Sequence, residues 1–362
     1  MVTLLFWPIG FLVLGCAVGG FLRLCIDRLP LGQSLLPPSP GSEGKTPTAW
    51  HLNTPLLGWL HLYGKGRERA MPVPTRYFII EAVTGGAFFG CWLGFGRQSM
   101  PLALVYCLFL AGLIVATATD FEHLIIPDEI TIGGMVAGVV CSLLLPRLHD
   151  ESTWFRSLGA SAGGLALGGG GIYAMVQAGK LAFGRQRIRL APQTRVVFSE
   201  TAVHLPDKEV PYDELFCRKS DKIALDAQTV ELADRCYRGV RVRLSPEKLE
   251  IGSDEFRPES VSYMEVVTTE IVFPREAMGL GDAKLMAAIG AFLGWAAVLF
   301  TIVVGALVGS VYGMTMIALK RRTWSGRLYF GPFLALGAAL WIFEGPALVH
   351  RYQQLIERLA AR

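Results

Sequence analysis

The chain has 362 residues, of which 52% are hydrophobic and 18% are charged, and its mean hydropathy is +0.42. Soluble domains contain about 45–50% apolar and about 25% charged residues, so this composition favours a membrane protein over a soluble one. The formal net charge of +4 is too small for a concentrated basic face, which argues against a nucleic-acid-binding protein.

The N-terminal half predicts five membrane spans. The first helix is predicted over residues 1–23. Its first 22 residues or so are apolar and the positive charges of Arg23 and Arg28 come after them, whereas a secretory signal peptide carries its positive charges in front. An uncleaved first helix with its N-terminus outside is therefore expected. Residues 24–76 form a polar loop rich in proline and glycine, predicted to be cytoplasmic. Residues 77–183 then contain transmembrane helices 2–5, over the apolar runs 77–96, 101–119, 129–146 and 157–183.

A glycine run, Gly168 to Gly171, lies within the last of these spans. Four consecutive glycines would let a neighbouring helix approach closely. A merely flexible stretch explains the run equally well.

Residues 184–275 have a different composition, with many polar and charged side chains. Alternation at 240–244 and the β-branched residues of 261–273 predict strands, and hence a small soluble β-rich insert. Residues 276–349 then contain an acidic motif and helices 6–8. Because 283–319 is too long for one span of about 20 residues, we place a break near Gly294 and Trp295. Residues 350–362 form a tail.

The predicted fold is thus a polytopic α-helical membrane protein with about eight transmembrane helices and a small β-rich cytoplasmic insert. The distribution of basic residues is consistent with this topology. The predicted outer loops contain only Arg97, Arg147 and Arg156, whereas the predicted inner loops 24–76 and 320–327 are more basic.

Two acidic motifs lie where helices are expected to meet the cytoplasm: DFEHLIIPD at 120–128 and EAMGLGDAKL at 276–285. Carboxylates beside membrane spans are costly and are candidates for function. Two close carboxylates can share one proton, so that one activates water and the other protonates a carbonyl. This chemistry predicts an aspartyl hydrolase with Asp120 and Asp282 as its catalytic pair.

Structural explanations exist for several residues of these motifs. Asp128 follows a proline and is better explained as a helix N-cap than as a catalytic group. Asp282 could also be a cap, Gly279 and Gly281 could form only a turn, and Lys284 could be an interface anchor. What favours catalysis is that both aspartate motifs are predicted on the same side of the membrane.

The seven cysteines are scattered and none forms a C-x-x-C pair, so neither a zinc cluster nor a disulfide framework is predicted.

Together these motifs resemble the bacterial type IV prepilin peptidases. Asp120 with 126–128 is similar to that family's first aspartate motif, and 276–285 is similar to its G-x-G-D motif. Residues 329–338 (YFGPFLALGA) resemble its last-helix signature. Near the N-terminus, residues 19–22 and 28–30 resemble the end of the family's first helix, and Tyr77 and Glu81 resemble the start of its second helix.

The resemblance implies an aspartyl endopeptidase of the bacterial cytoplasmic membrane, with its active site facing the cytoplasm. It would remove a short basic leader, after a glycine, from prepilins or pseudopilins. Asp120 and Asp282 would be the catalytic aspartates, with supporting residues Gly279, Gly281, Asp128 and Lys284. Peptidase activity would need no cofactor. The bilayer and the substrates are the expected partners, nucleic acid is not, and the insert could contact secretion or pilus machinery.

Two departures from the family pattern concern cofactors and the insert. Many members carry two zinc-binding C-x-x-C pairs in the first cytoplasmic loop, whereas this chain has no cysteine between Cys25 and Cys91, so no zinc is predicted. Many members also methylate the new N-terminus with S-adenosylmethionine, an activity associated with this loop. Because the loop diverges here, methylation stays open. The insert 184–275 is absent or short in typical members.

Three other functions compete with this interpretation. A presenilin-like intramembrane protease also uses G-x-G-D, but its two aspartates lie on successive helices, and here two spans and the insert separate them. A transporter could use the aspartates as proton or cation sites, although no internal repeat is evident. An inactive scaffold is disfavoured by the intact aspartates.

Overall fold

The structure is a computed structural model that describes residues 2–35, 75–183, 185–206, 208–216, 221–274, 279–319 and 329–360. The chain divides into two compact units. Unit 1 combines 1–173 with 280–362, and unit 2 comprises 174–279.

The helices form where the sequence has long apolar runs. Four short segments adjoin them: 3₁₀ helices at Leu29–Leu31 and Pro146–His149, and π turns at Trp92–Gly96 and Leu167–Gly171. The helices are α1 (Val2–Arg28), α2 (Thr75–Cys91), α3 (Met100–His123), α4 (Asp128–Leu144), α5 (Trp154–Ala166), α6 (Ile172–Phe183), the short α7 (Tyr212–Leu215), α8 (Leu280–Ala318) and α9 (Gly331–Ala360).

Four helical segments among the described residues are long and apolar enough to cross a membrane: Phe6–Leu31, Thr75–Gly96, Met100–His123 and Leu280–Ala318. The bent pair Gly331–Gly345 and Ala347–Leu359 would be a fifth if it forms one span. The apolar helices and the β-rich insert are consistent with the predicted membrane protein, whereas the predicted count of eight spans is not confirmed. One reason is that α4 has 17 residues, which at about 1.5 Å per residue is shorter than the hydrocarbon core.

Helix α8 contains a break at the place where the sequence predicted one. Gly294 has φ 80° and ψ 178°, a conformation that only glycine adopts readily. The break divides α8 into segments 280–293 and 295–318. Near it, the Ser161 hydroxyl of α5 donates a hydrogen bond of 2.8 Å to the Ala291 carbonyl.

Close backbone contacts surround the first segment of α8, which carries Asp282. A Cβ built on Gly164 would collide with the Gly290 carbonyl oxygen, and one on Gly168 with the Met286 carbonyl oxygen. Helix α4 also approaches this segment closely, because a Cβ built on Gly138 would lie 2.8 Å from Ala291 Cβ. Of the two explanations for the glycine run, close helix approach is thus the one that holds at Gly168.

Replacing Gly164 by alanine is expected to destabilise unit 1, because the new methyl group has no space beside Gly290. Overpacking of this kind typically costs about 1–3 kcal/mol. Thermal unfolding in detergent measures the effect. The matched control is Gly163→Ala, since a Cβ at Gly163 meets nothing within 4 Å in the part of the chain that the structure describes. Equal melting temperatures for the two variants would contradict the prediction.

Unit 2 contains an eight-stranded antiparallel sheet with the order β3-β2-β1-β8-β4-β5-β6-β7. The strands are β1 (Arg185–Phe198), β2 (Ala202–Leu205), β3 (Lys208–Pro211), β4 (Ile223–Glu231), β5 (Cys236–Leu244), β6 (Leu249–Ile251), β7 (Asp254–Phe256) and β8 (Met264–Pro274). The strands predicted at 240–244 and 261–273 correspond to β5 and β8.

Alternating burial explains why this segment folds as a sheet. In β8 the side chains of Met264, Val266, Ile271 and Phe273 are buried, while Glu270 between them pairs with Arg187 on the other face. Strand β4 continues the same core through Ile223, Leu225 and Val230. The long pairing of β1 with β8 has an irregularity between Arg189 and Thr194, where Gln193 has φ 62°.

Candidate active site

Asp120 lies in the last turn of α3 and is 7% exposed. Its carboxylate oxygen Oδ2 accepts a hydrogen bond of 3.0 Å from the backbone N–H of Gly331. Gly331 is the first residue of α9, where backbone N–H groups lack partners within the helix. The start of α9 thereby orients the Asp120 carboxylate at the end of α3.

Gly331 has no space for a side chain. A Cβ built on it would lie 2.6 Å from Asp120 Oδ2 and 3.3 Å from Ile126 Cδ1. The segment before α9 makes a second contact with α3, because the Tyr329 ring stacks on Phe121 at a centroid distance of 5.1 Å. The start of α9 is thus closely fitted to the first aspartate motif.

Asp282 lies in the first turn of α8 and is 9% exposed. Gly281 precedes it, and a Cβ built on Gly281 would lie 3.4 Å from Ile126 Cβ. Ile126, which is 7% exposed, therefore adjoins both Gly281 and Gly331. The first aspartate motif, the G-x-G-D motif and the start of α9 meet around this one side chain. Gly279 lies directly before α8 and is exposed.

A second link joins the two acidic motifs. Lys284 Nζ of α8 lies 2.6 Å from Asp128 Oδ1 of α4, and both side chains are partly exposed. An exposed ion pair contributes about 0–1 kcal/mol, so this contact links the two helix starts only weakly.

The N-cap prediction for Asp128 is wrong. The cap is Pro127, whose carbonyl accepts hydrogen bonds from the N–H groups of Ile130 and Thr131. Proline already supplies the extended backbone that a cap needs, with φ −59° and ψ 140°. Asp128 is consequently the first helical residue, and its side chain is available to Lys284.

A polar network lies at the adjoining ends of α1, α2 and α3. Arg76 bridges Asp27 at 3.0 Å and Glu122 at 2.8 Å, and the Tyr77 hydroxyl donates to Asp27 at 3.2 Å. Glu122 is two residues from Asp120, so Arg76 ties the end of α3 that carries Asp120 to the end of α1.

The network continues through the two residues that the family resemblance singled out. Arg23 lies 3.9 Å from Glu81 and covers the Tyr77 ring at 4.5 Å from its centroid. Glu81 itself is 4% exposed.

Sequence reasoning missed the roles of four residues in this region: Ile126, Gly331, Arg76 and Glu122. A local signal existed for Gly331, because a Gly-Pro pair directly before an apolar run marks a helix start. Ile126 belongs to the first aspartate motif, but its apolar side chain gave no local signal that it would contact the other two segments. Arg76 and Glu122 are charges at helix ends, which usually face solvent.

Within the described residues, no cluster of three or more histidine, cysteine, aspartate or glutamate side chains is arranged to hold a metal ion. The loop whose missing cysteines led to the prediction of no zinc falls mostly on residues 36–74, which lie outside the described residues.

Two family models match the chain. Residues 13–95 match the bacterial peptidase A24 N-terminal domain, and residues 261–314 match the type IV leader peptidase family. The second range includes Asp282, whereas Asp120 lies between the two ranges.

Curated relatives named "Prepilin leader peptidase/N-methyltransferase" are similar to this chain. The Myxococcus xanthus protein is 38% identical over 162 residues, which is 42% of this chain and 45% of that protein. The Klebsiella pneumoniae protein is 32% identical over 144 residues, 38% of this chain and 62% of that protein. The chain thus spans about half the length of these relatives.

A weaker similarity extends over nearly the whole chain. The Xanthomonas campestris relative of the same name is 22% identical over 369 residues, covering 94% of this chain and 92% of that protein. No solved structure matches the chain.

Proposed function

Because the chain belongs to the type IV leader peptidase family, we propose that it is a membrane aspartyl endopeptidase. It removes the short basic leader from prepilins or pseudopilins. Asp120 and Asp282 are its catalytic pair, and Gly279, Gly281, Asp128 and Lys284 support them. The active site faces the cytoplasm from the bacterial inner membrane.

The observation that supports this proposal most strongly is the convergence around Ile126. Asp120 and Asp282 come from helices 162 positions apart in the chain, yet their motifs share this neighbour. Both aspartates are largely buried and lie at helix ends. If Asp120 and Asp282 only capped their helices, their motifs would not need to contact the same side chain.

The reaction follows from the chemistry of two carboxyl groups. One carboxylate takes a proton from a water molecule as the water attacks the scissile carbonyl carbon, and the other carboxyl protonates the carbonyl oxygen. As the C–N bond of the tetrahedral intermediate breaks, the amine takes the proton that the first carboxylate removed from water, and a hydroxyl of the intermediate returns a proton to the second carboxylate. The Gly331 N–H holds Asp120 in one orientation throughout, so less entropy is lost on reaching the transition state.

The relatives' name also suggests N-methylation of the new N-terminus, for which the family resemblance implies S-adenosylmethionine. That donor carries a sulfonium and an amine, which carboxylates and an aromatic face would bind. In the described residues of unit 1, the carboxylates of Asp27 and Glu81 are paired with Arg76 and Arg23, and Arg23 covers Tyr77. Most of the loop associated with methylation, residues 36–74, lies outside the described residues, so methylation stays a prediction.

The test is cleavage of a prepilin-like substrate by the purified protein in detergent. We expect one cut, after the glycine that ends a basic leader, located by the mass of both products. Replacing that substrate glycine by valine should abolish cleavage, and a chelator should have no effect. Absence of cleavage across several pseudopilins would contradict the proposal and favour a transporter or scaffold.

A role of the insert in contacting secretion or pilus machinery stays a prediction.

A further inference from the structure

An apolar groove of about 230 Å³ lies within unit 1, lined by α1, α3, α4 and α8. Its floor consists of side chains that are at most 5% exposed, among them Phe109, Leu113, Leu285 and Phe292. Its rim is exposed, with Phe21 at 54% and Leu108 at 53%. The groove is therefore open along one side of the helical unit and is not an enclosed cavity.

Two of the four helices that line the groove carry the candidate catalytic residues. On α3, Phe109 and Leu113 lie eleven and seven residues before Asp120, which places them on the same side of the helix. On α8, Leu285 is one turn after Asp282. One end of the groove therefore lies close to both aspartate motifs, and the groove extends from there along the helices for about 11 Å.

Small residues leave the groove open where an occupant would touch it. Gly112 and Gly133 line it, and a Cβ built on either meets no atom of the described residues within 4 Å. Among the described residues, neither glycine is packed closely against another helix, in contrast to Gly138 and Gly164. A helix lying along the rim could approach their backbone closely.

A carboxylate marks the end of the groove near the aspartates. Glu129, in the first turn of α4, lines the groove and is exposed. The rest of the lining is apolar or consists of glycine and a cysteine. The groove therefore offers an apolar surface that ends in a negative charge beside the catalytic pair.

We infer that this groove binds the apolar transmembrane helix of the substrate. The helix lies along α3 and α4 with its basic N-terminal segment at Glu129, which delivers the bond before the helix to Asp120 and Asp282. The volume accommodates a few side chains of such a helix, not the helix itself, so the occupant rests on the rim. This inference rests on the proposed function.

Disulfide cross-linking tests the contact without requiring turnover. Gly133→Cys is combined with Asp282→Asn and mixed with substrates that carry one cysteine at successive positions of the apolar helix. The Asp282→Asn chain without an added cysteine gives the background to be subtracted, because the native Cys25 also lines the groove. Cross-links are expected at positions three or four residues apart. Gly163→Cys is the matched control, because Gly163 is also an exposed helical glycine with open space, and it does not line the groove. Equal cross-linking of both variants, or none at Gly133→Cys, would overturn the inference.

Filling the groove provides the kinetic test, in protein whose aspartates are intact. Gly133→Leu is expected to raise KM for the full-length substrate by about tenfold or more, because the side chain occupies the docking surface. Gly163→Leu should leave KM unchanged. If the groove holds a lipid chain or a second copy of the protein instead, Gly133→Leu leaves KM unchanged, and any cross-link joins two enzyme chains. Loss of all cleavage by the parent protein would instead refute the proposed function, and the inference with it.

Discussion

Replacing Asp120 or Asp282 by asparagine is expected to lower kcat for leader removal by at least about 100-fold, and by up to about 10,000-fold, the usual contribution of a positioned acid or base. Asparagine has the shape of aspartate but can neither take up nor release the proton that the reaction moves. Initial rates at saturating substrate, with the product located by mass, measure the loss. Because the two groups act as a unit, the double variant should lose little more than either single variant.

Asp150→Asn is the matched control for this pair. Asp150 is an exposed carboxylate of unit 1 with φ 55°, a conformation that asparagine also adopts readily. Its replacement should leave kcat unchanged. Undiminished turnover in either Asp120→Asn or Asp282→Asn, with retained melting temperature, would show that the assigned pair is wrong.

Gly331→Ala is expected to lower kcat by about 100-fold, although Gly331 contributes no reacting group. The new methyl group would lie 2.6 Å from Asp120 Oδ2, closer than a Cβ can remain, so the carboxylate or the start of α9 must move. A misplacement of about 1 Å at a reacting group can cost this much in rate. The measurement is again kcat, with the melting temperature monitored, since overpacking costs about 1–3 kcal/mol.

Two comparisons separate displacement of Asp120 from general damage. Gly313→Ala changes a glycine of α8 whose Cβ would meet nothing within 4 Å, and it should leave kcat and the melting temperature near those of the parent. In the Asp120→Asn background, Gly331→Ala should cost little further activity, because the group it displaces has already been lost. Full activity of Gly331→Ala alone, or a full additive loss in the double variant, would contradict the role assigned to Gly331.

The candidate site was predictable in part. Asp120 and Asp282 stand out because carboxylates beside long apolar runs are rare and costly, and their helix-end positions followed from where those runs stop. The interpretation of Asp128 was wrong by one position, since the local rule that aspartate caps helices could not show that Pro127 takes the cap or that Lys284 binds the side chain. Lys284 lies 156 residues away.

Sequence alone determined the features that depend on local periodicity and composition: the apolar helices, the strands β5 and β8, and the break in α8 at Gly294. Only the tertiary structure decided that Gly331 holds Asp120, at a separation of 211 residues, and that Ile126 joins the two motifs. The physical reason is that hydropathy and backbone preference act between near neighbours in the chain. Which side chains meet is fixed by how closely the helices pack, and the absence of a Cβ at Gly331 is what allows the start of α9 to approach Asp120.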